Sequence, residues 1–191
     1  DLNALGLGRN YRVAIVLDNG PEMAACFIAC ASGVTSAPLN PAYRADEFEF
    51  YLSDLNARAL IVAQGSSTPA IAVAEKLKVR VLDLVVETGA PAGEFRLQPR
   101  DGAASTATAN GGFAQQGDIS MVLHTSGTTS RPKIVPLSQA NLAASARHIA
   151  STLKFTSKDR SLNIMPLFHI HGLIAGVLAP LSAGSQVFCT P

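Results

Sequence analysis

Apolar and polar positions follow two rhythms along this chain. Tyr11–Leu17 (YRVAIVL) is a continuous, β-branched apolar run, the pattern of a buried strand. Asp18-Asn19-Gly20-Pro21 then reads as a turn, with Pro21 placed to open a helix. Glu22–Ser32 is apolar on nearly every side, which predicts a helix sandwiched between layers and ended at Gly33. Pro38–Tyr43 (PLNPAY) is a proline-marked loop. Arg44–Asn56 places Phe48, Leu52 and Leu55 at i, i+4 and i+7, an amphipathic helix. A strand at Ala59–Ala63, a helix at Thr68–Leu77 and a strand at Val79–Val86 follow.

The rhythm breaks over residues 87–118, a stretch rich in Gly, Ala, Ser, Thr and Pro. It reads as a long irregular connection with one short strand around Phe95–Leu97. Order resumes with apolar strands at Ile119–His124 and Ile134–Leu137. Ser138 is a good N-cap for a helix reaching Lys154, whose apolar face is Leu142, Ala146, Ile149 and Leu153. A strand at Arg160–Met165, an apolar helix at Gly172–Ala183 and a strand at Gln186–Cys189 complete the pattern. Strand and helix in alternation predict an α/β fold, a largely parallel sheet flanked by helices. Residues 1–118 form a first α/β portion in this reading, and 119–191 carry a loop-bearing segment and the start of a second. No helix follows the last strand to cover it, so the polypeptide is expected to be incomplete.

Composition narrows the function classes. Of the 191 residues, 48% are hydrophobic, enough for a sizeable core and too many for a disordered chain. The 15% of charged residues leave a net charge of only +1, with no basic run, so a nucleic-acid partner is not expected. No apolar stretch nears the roughly 20 residues of a transmembrane helix, and Asp1–Arg9 has no signal-peptide pattern. The 3 cysteines, Cys26, Cys30 and Cys189, lack metal-binding spacing and read as free thiols of a cytoplasmic protein.

The densest chemistry is TSGTTSRPK, Thr125–Lys133. Gly127 permits close backbone approach or a positive φ. Thr125, Ser126, Thr128 and Thr129 offer hydroxyls beside the turn's N–H donors, a composition able to wrap a polyphosphate. Lys133 supplies a flexible point charge suited to a terminal phosphate, and Arg131 lies alongside. A plain surface hairpin rich in Ser and Thr would share this composition. The P-loop pattern G-x-x-x-x-G-K-[ST] does not fit: no Gly precedes Lys133, no Ser or Thr follows it, and the loop joins strand to strand.

The order of these residues resembles the ATP-phosphate-binding signature of the adenylate-forming enzymes, which include acyl-CoA synthetases, aryl-CoA ligases, luciferases and nonribosomal adenylation domains. Most members have Gly where this chain has Ser130 and Ile134. The HTSGTTSRPK form resembles a subgroup that includes oxalate–CoA ligases. VAIVLDNGP (Val13–Pro21), APLNPAY (Ala37–Tyr43) and MPLFHIHGL (Met165–Leu173) resemble stretches of the same enzymes in the same order. The resemblance implies the front part of the large N-terminal domain of an ATP-dependent acid–CoA ligase. Its partners would be a small carboxylic acid, ATP and CoA, with Mg²⁺ as a cofactor and the remainder of its own polypeptide. Thr125, Ser126, Gly127, Thr128, Thr129 and Lys133 would bind the nucleotide. No residue before Pro191 matches the family's adenine, ribose, magnesium or catalytic-lysine motifs, so no catalytic residue is assigned and the isolated chain is expected to be inactive.

His169 and His171 occupy Pro166–Gly172 at a strand-to-helix turn. Two His at i, i+2 could begin a metal site, but no third ligand lies nearby in sequence. Loop histidines satisfied by backbone hydrogen bonds are the plain alternative. A residue just past a strand's carboxyl end sits where α/β folds bind ligands, and the resemblance implies that this turn lines the acid pocket. An imidazole at His171 could donate to a second carboxylate, which makes oxalate or malonate plausible. His124 ends the strand before the loop and is placed to shape the site, while His148, on a helix, reads as structural. A non-catalytic nucleotide-binding scaffold and a domain that loads a carrier-protein thiol remain the alternatives.

Overall fold

The computed structural model describes residues 1–104, 106–125 and 132–190. Its centre is a seven-stranded sheet in the order β5-β4-β3-β1-β2-β6-β7. The strands are β1 (Arg12–Val16), β2 (Thr35–Pro38), β3 (Ala59–Ala63), β4 (Arg80–Val85), β5 (Arg96–Pro99), β6 (Ile119–Thr125) and β7 (Lys133–Ser138). The inner strands β4, β3, β1, β2 and β6 run parallel, and the edge strands β5 and β7 pair antiparallel to their neighbours. The fold is therefore α/β with a mostly parallel sheet, as the alternation predicts. A separate parallel pair, β8 (Arg160–Asn163) and β9 (Gln186–Cys189), forms a second sheet. Sheet membership changes between β7 and β8.

Period-two alternation divides the core between the two faces of the large sheet. Val13 and Ile15 of β1 join α1 (Pro21–Ala31) and α4 (Gln139–Leu153) through Phe27, Cys30 and Leu142. Ala14 and Val16 point the other way, toward α2 (Ala45–Leu55) and α3 (Ala70–Lys76), with Phe48, Leu52 and Leu55. Phe27 and Phe48 are both 0% exposed. Each such side chain contributes about 1.5–3 kcal/mol of transfer free energy. The i, i+4, i+7 pattern of α2 thus lands on the sheet. Its first turn is closed by Glu47, which accepts from the Arg44 backbone N–H at 2.9 Å. Ser138 caps α4 by accepting from the Asn141 N–H at 3.2 Å.

Three details differ from the sequence reading. First, β2 is a central strand although Thr35-Ser36-Ala37-Pro38 lacks an apolar run. Its hydroxyls remain satisfied when buried because Thr35 donates to the Ile119 carbonyl and Ser36 to the Ser120 carbonyl. Second, the strand predicted at Arg160–Met165 stops at Asn163, whose side chain turns the backbone. Third, the helix predicted over Gly172–Ala183 is a π-helical segment, His171–Leu178, continued by the short α5 (Ala179–Ser182). The wider spacing is seen where the Ala179 N–H donates to the Ile174 carbonyl, five residues back.

The irregular stretch 87–118 is tied down by specific polar contacts. Asn3 accepts from the Gly112 N–H through its side chain at 2.8 Å and from the Thr108 N–H through its carbonyl at 3.0 Å. Asp118 accepts from the Gln115 N–H at 2.7 Å, from the Asn10 amide at 2.9 Å and from Arg9 at 3.4 Å. The backbone donor, then Asn10, then Arg9 hold its carboxyl below the ordinary range. Cys26 and Cys30 are buried free thiols; their mutual hydrogen bond and burial push the Cys26 thiol up. Cys189 is half-buried.

Candidate functional site

The connection between β6 and β7 starts at the carboxyl end of β6. Thr125 is the last residue of β6 and Lys133 the first of β7, and they are register partners. On β6 Leu123 belongs to the core on the α1/α4 face, so strand alternation puts Thr125 on that same face, with Lys133 beside it. Both side chains are exposed. Ser126, Gly127, Thr128 and Thr129, together with Ser130 and Arg131, lie outside the described residues.

The turn Pro166–Gly172 is brought to the same end of the sheet by a residue that sequence reasoning passed over. Asn19, three residues beyond β1, accepts from the Leu167 N–H at 2.9 Å and donates to the Met165 carbonyl at 3.5 Å. Leu167, 1% exposed, anchors the turn in the core. A second asparagine shapes the turn from its other side. Asn163 is buried, accepts from the Met165 N–H at 3.1 Å and donates to the Met165 carbonyl at 3.3 Å. The signal for both residues is the turn chemistry of Asn at or just past a strand's end, which marks a bend but not what the bend will touch.

Two glycines let the π-helical segment sit on this turn. A Cβ at Gly172 would lie 2.4 Å from the Pro166 carbonyl oxygen, and one at Gly176 would lie 2.5 Å from Asn163 Oδ1. The backbone therefore reaches the turn at a distance that no side chain permits.

His169 and His171 both project from this turn and are exposed. The His171 N–H donates to His169 Nδ1 at 3.2 Å, so a neutral His169 carries its proton on Nε2, free to face a ligand. His171 also lines a cleft of about 800 Å³ with Thr152, Asn163, Met165, Gly176 and His148. The structure thus sets His148 of α4 in the same cleft as His171. A second cleft, about 700 Å³ and lined by Phe95 and Phe113 among others, contains none of the site residues named from the sequence.

Among the described residues, no group of three or more His, Cys, Asp or Glu side chains could hold a metal ion. No helix among them is long and apolar enough to cross a membrane. These residues place a cation, the Thr125 hydroxyl and a pair of imidazoles at one end of a mostly parallel sheet. That arrangement suits anionic, phosphate-bearing and carboxylate ligands.

Comparison with known proteins gives the family of the chain. The family model described as AMP-binding enzyme matches residues 2–191. The chain is 41% identical over 177 residues to an oxalate–CoA ligase of Arabidopsis thaliana, covering 92% of this chain and 34% of that protein. It is 38% identical over 199 residues to an oxalate–CoA ligase of Saccharomyces cerevisiae, covering 94% of this chain and 37% of the relative. Among solved structures, apo MatB from Rhodopseudomonas palustris superposes with a TM-score of 0.77 at 27% identity, over 98% of this chain and 36% of that one. A malonyl-CoA ligase bound to methylmalonyl-CoA and AMP superposes with a TM-score of 0.69 at 29% identity, over 93% of this chain and 34% of that one. The chain spans about a third of the length of these relatives. On its motifs, its sheet and the match along its length, the chain belongs to the AMP-binding enzyme family.

Proposed function

We propose that the protein carrying this chain is an ATP-dependent acid–CoA ligase, and that its acid is a short dicarboxylate such as oxalate or malonate. The observation that carries the reading is the exposed Thr125–Lys133 pair at the carboxyl end of β6. It sits on the sheet face that also carries the Pro166–Gly172 turn. The named CoA ligases among the relatives support this reading over a scaffold or a carrier-loading domain.

In the first half-reaction a carboxylate oxygen of the acid attacks the α-phosphorus of ATP. The α–β phosphoanhydride bond breaks, and pyrophosphate leaves with the electron pair. In the second, the sulfur of CoA attacks the acyl carbon and AMP leaves. No protein nucleophile is required, so this chain's part is positioning and charge neutralisation. Thr125, Ser126, Gly127, Thr128 and Thr129 hold the phosphate tail through hydroxyls and amides, and Lys133 balances its terminal charge. His169, with Nε2–H directed outward, and His171 flank the acid. An imidazole donor aimed at a second carboxylate favours a dicarboxylate over a fatty acid. Mg²⁺ belongs to this reading as the counter-ion that arrives with ATP. The described residues offer it no ligand cluster, and no step is assigned to it.

The test is ATP–pyrophosphate exchange by the intact protein with oxalate, malonate and a medium-chain fatty acid in parallel. Exchange with a dicarboxylate and little with the fatty acid is expected. Exchange restricted to the fatty acid would remove the dicarboxylate assignment, and absence of exchange with every acid would remove the ligase assignment.

A further inference from the structure

His124 is the next-to-last residue of β6. Strand alternation sends its side chain to the α2/α3 face, opposite to Thr125, and leaves it 5% exposed. There its Nε2 lies 3.0 Å from Asp54 Oδ2, at the last turn of α2. The Tyr51 ring meets the imidazole edge to face at 4.7 Å, with the planes at 71°. Tyr43 stacks on Tyr51 at 4.7 Å and 12°. Burial, then the hydrogen bond with Tyr51, pushes the Tyr43 phenol well up.

The tie matters because of how β6 is held. Among the described residues, the ladder between β2 and β6 is the single register pair Ser36–Met121. The side-chain bonds of Thr35 and Ser36 reach only Ile119 and Ser120. Beyond Met121 the strand's hydrogen-bonded partner is the edge strand β7, with His124 opposite Ile134 and Thr125 opposite Lys133. The end of β6, from Val122 to Thr125, therefore extends past the backbone ladder that fixes its base. Val122 and Leu123 anchor it by burial, which sets depth but little direction. The Asp54–His124 hydrogen bond is directional and lies one residue from the loop.

We propose that Asp54 and His124 are positioning residues that fix the end of β6 against α2, and so set the placement of Thr125 and its register partner Lys133. This rests on the reading of Thr125 and Lys133 as phosphate-binding residues. Asp54 and His124 meet on the α2/α3 face, opposite Thr125, so each acts through the backbone of Thr125.

The experiment is pyrophosphate-exchange kinetics and thermal melting of the intact protein carrying Asp54→Ala, His124→Phe, the two together, His124→Gln or Lys133→Ala. His124→Phe keeps a ring against Tyr51 and removes the bond. His124→Gln keeps an N–H donor near Nε2. Asp54→Ala and His124→Phe should each raise KM for ATP about tenfold, the scale of a lost hydrogen bond to a charged group. The double variant should be no worse than either single one. His124→Gln should stay within about threefold of the parent protein, inside the energy of one ordinary hydrogen bond. KM for the acid should hold steady, and the melting midpoint should fall by a few degrees at most. Unchanged KM for ATP in both single variants, with Lys133→Ala impaired, overturns the positioning role alone. A joint rise in both KM values with a larger fall in melting point overturns it as well, since that marks general loosening. Unchanged ATP kinetics in Lys133→Ala removes the loop assignment, and the proposal with it.

Discussion

The two faces of the central sheet are built to different rules. The α2/α3 face is closed by apolar side chains of two amphipathic helices, with the Asp54–His124 contact at one end. The α1/α4 face has an equally dry core around Phe27 and Leu173. At the carboxyl ends of the strands, however, it opens into a rim pinned by Asn19 and Asn163 and relieved by Gly172 and Gly176. The same strands serve both faces: consecutive residues His124 and Thr125 go one to each. On the proposed reading, one face of the sheet holds the rim while the other meets the ligands.

The comparison can be broken first at the cores. Phe27→Ala and Phe48→Ala should each cost about 3–5 kcal/mol, read from urea unfolding midpoints, because both leave a cavity in a fully buried layer. A clear inequality would mean that the faces do not share the load. Gly172→Ala sharpens the contrast at the rim. Its Cβ would press on the Pro166 carbonyl, so about 1–3 kcal/mol of stability should be lost together with acid-dependent exchange. Lys133→Ala should separate activity from stability: KM for ATP rises about tenfold, equivalent to about 1.4 kcal/mol, while the melting midpoint stays put. The smallest effect concerns Asp118, far from the rim. Its carboxyl sits below its ordinary range in the folded state, so its stabilising contribution is present at neutral pH and is lost as pH falls through the folded value. Asp118→Asn should lower the melting midpoint at neutral pH, and the gap from the parent protein should narrow below about pH 4.

Much of this architecture was legible in the residues because local pattern and tertiary burial agree. Phe48, Leu52 and Leu55 predict α2 by spacing and are buried together. Val13–Val16 predict a strand buried on both faces and form one. The hidden features depend on contacts distant in sequence. The hydroxyls of β2 look like loop chemistry until β6 supplies their acceptors, 84 residues away. Asn19 looks like an ordinary turn residue until the Leu167 N–H arrives from 148 residues away. His148, read as structural from its helix position, lines the His171 cleft, which exists only once α4, β8 and the π-helical segment have packed. The π-helical spacing likewise depends on a segment that must fit over Asn163 and Pro166. The candidate loop declared itself through residue order, and of its predicted ligands the structure describes the two bracketing ends, Thr125 and Lys133.

Hydrogen–deuterium exchange of the intact protein, with and without MgATP, probes the central claim most directly. The account predicts that nucleotide protects backbone amides chiefly in peptides covering residues 124–137, the segment assigned to the phosphates. Nucleotide binding that leaves those amides unchanged and protects another region would contradict it.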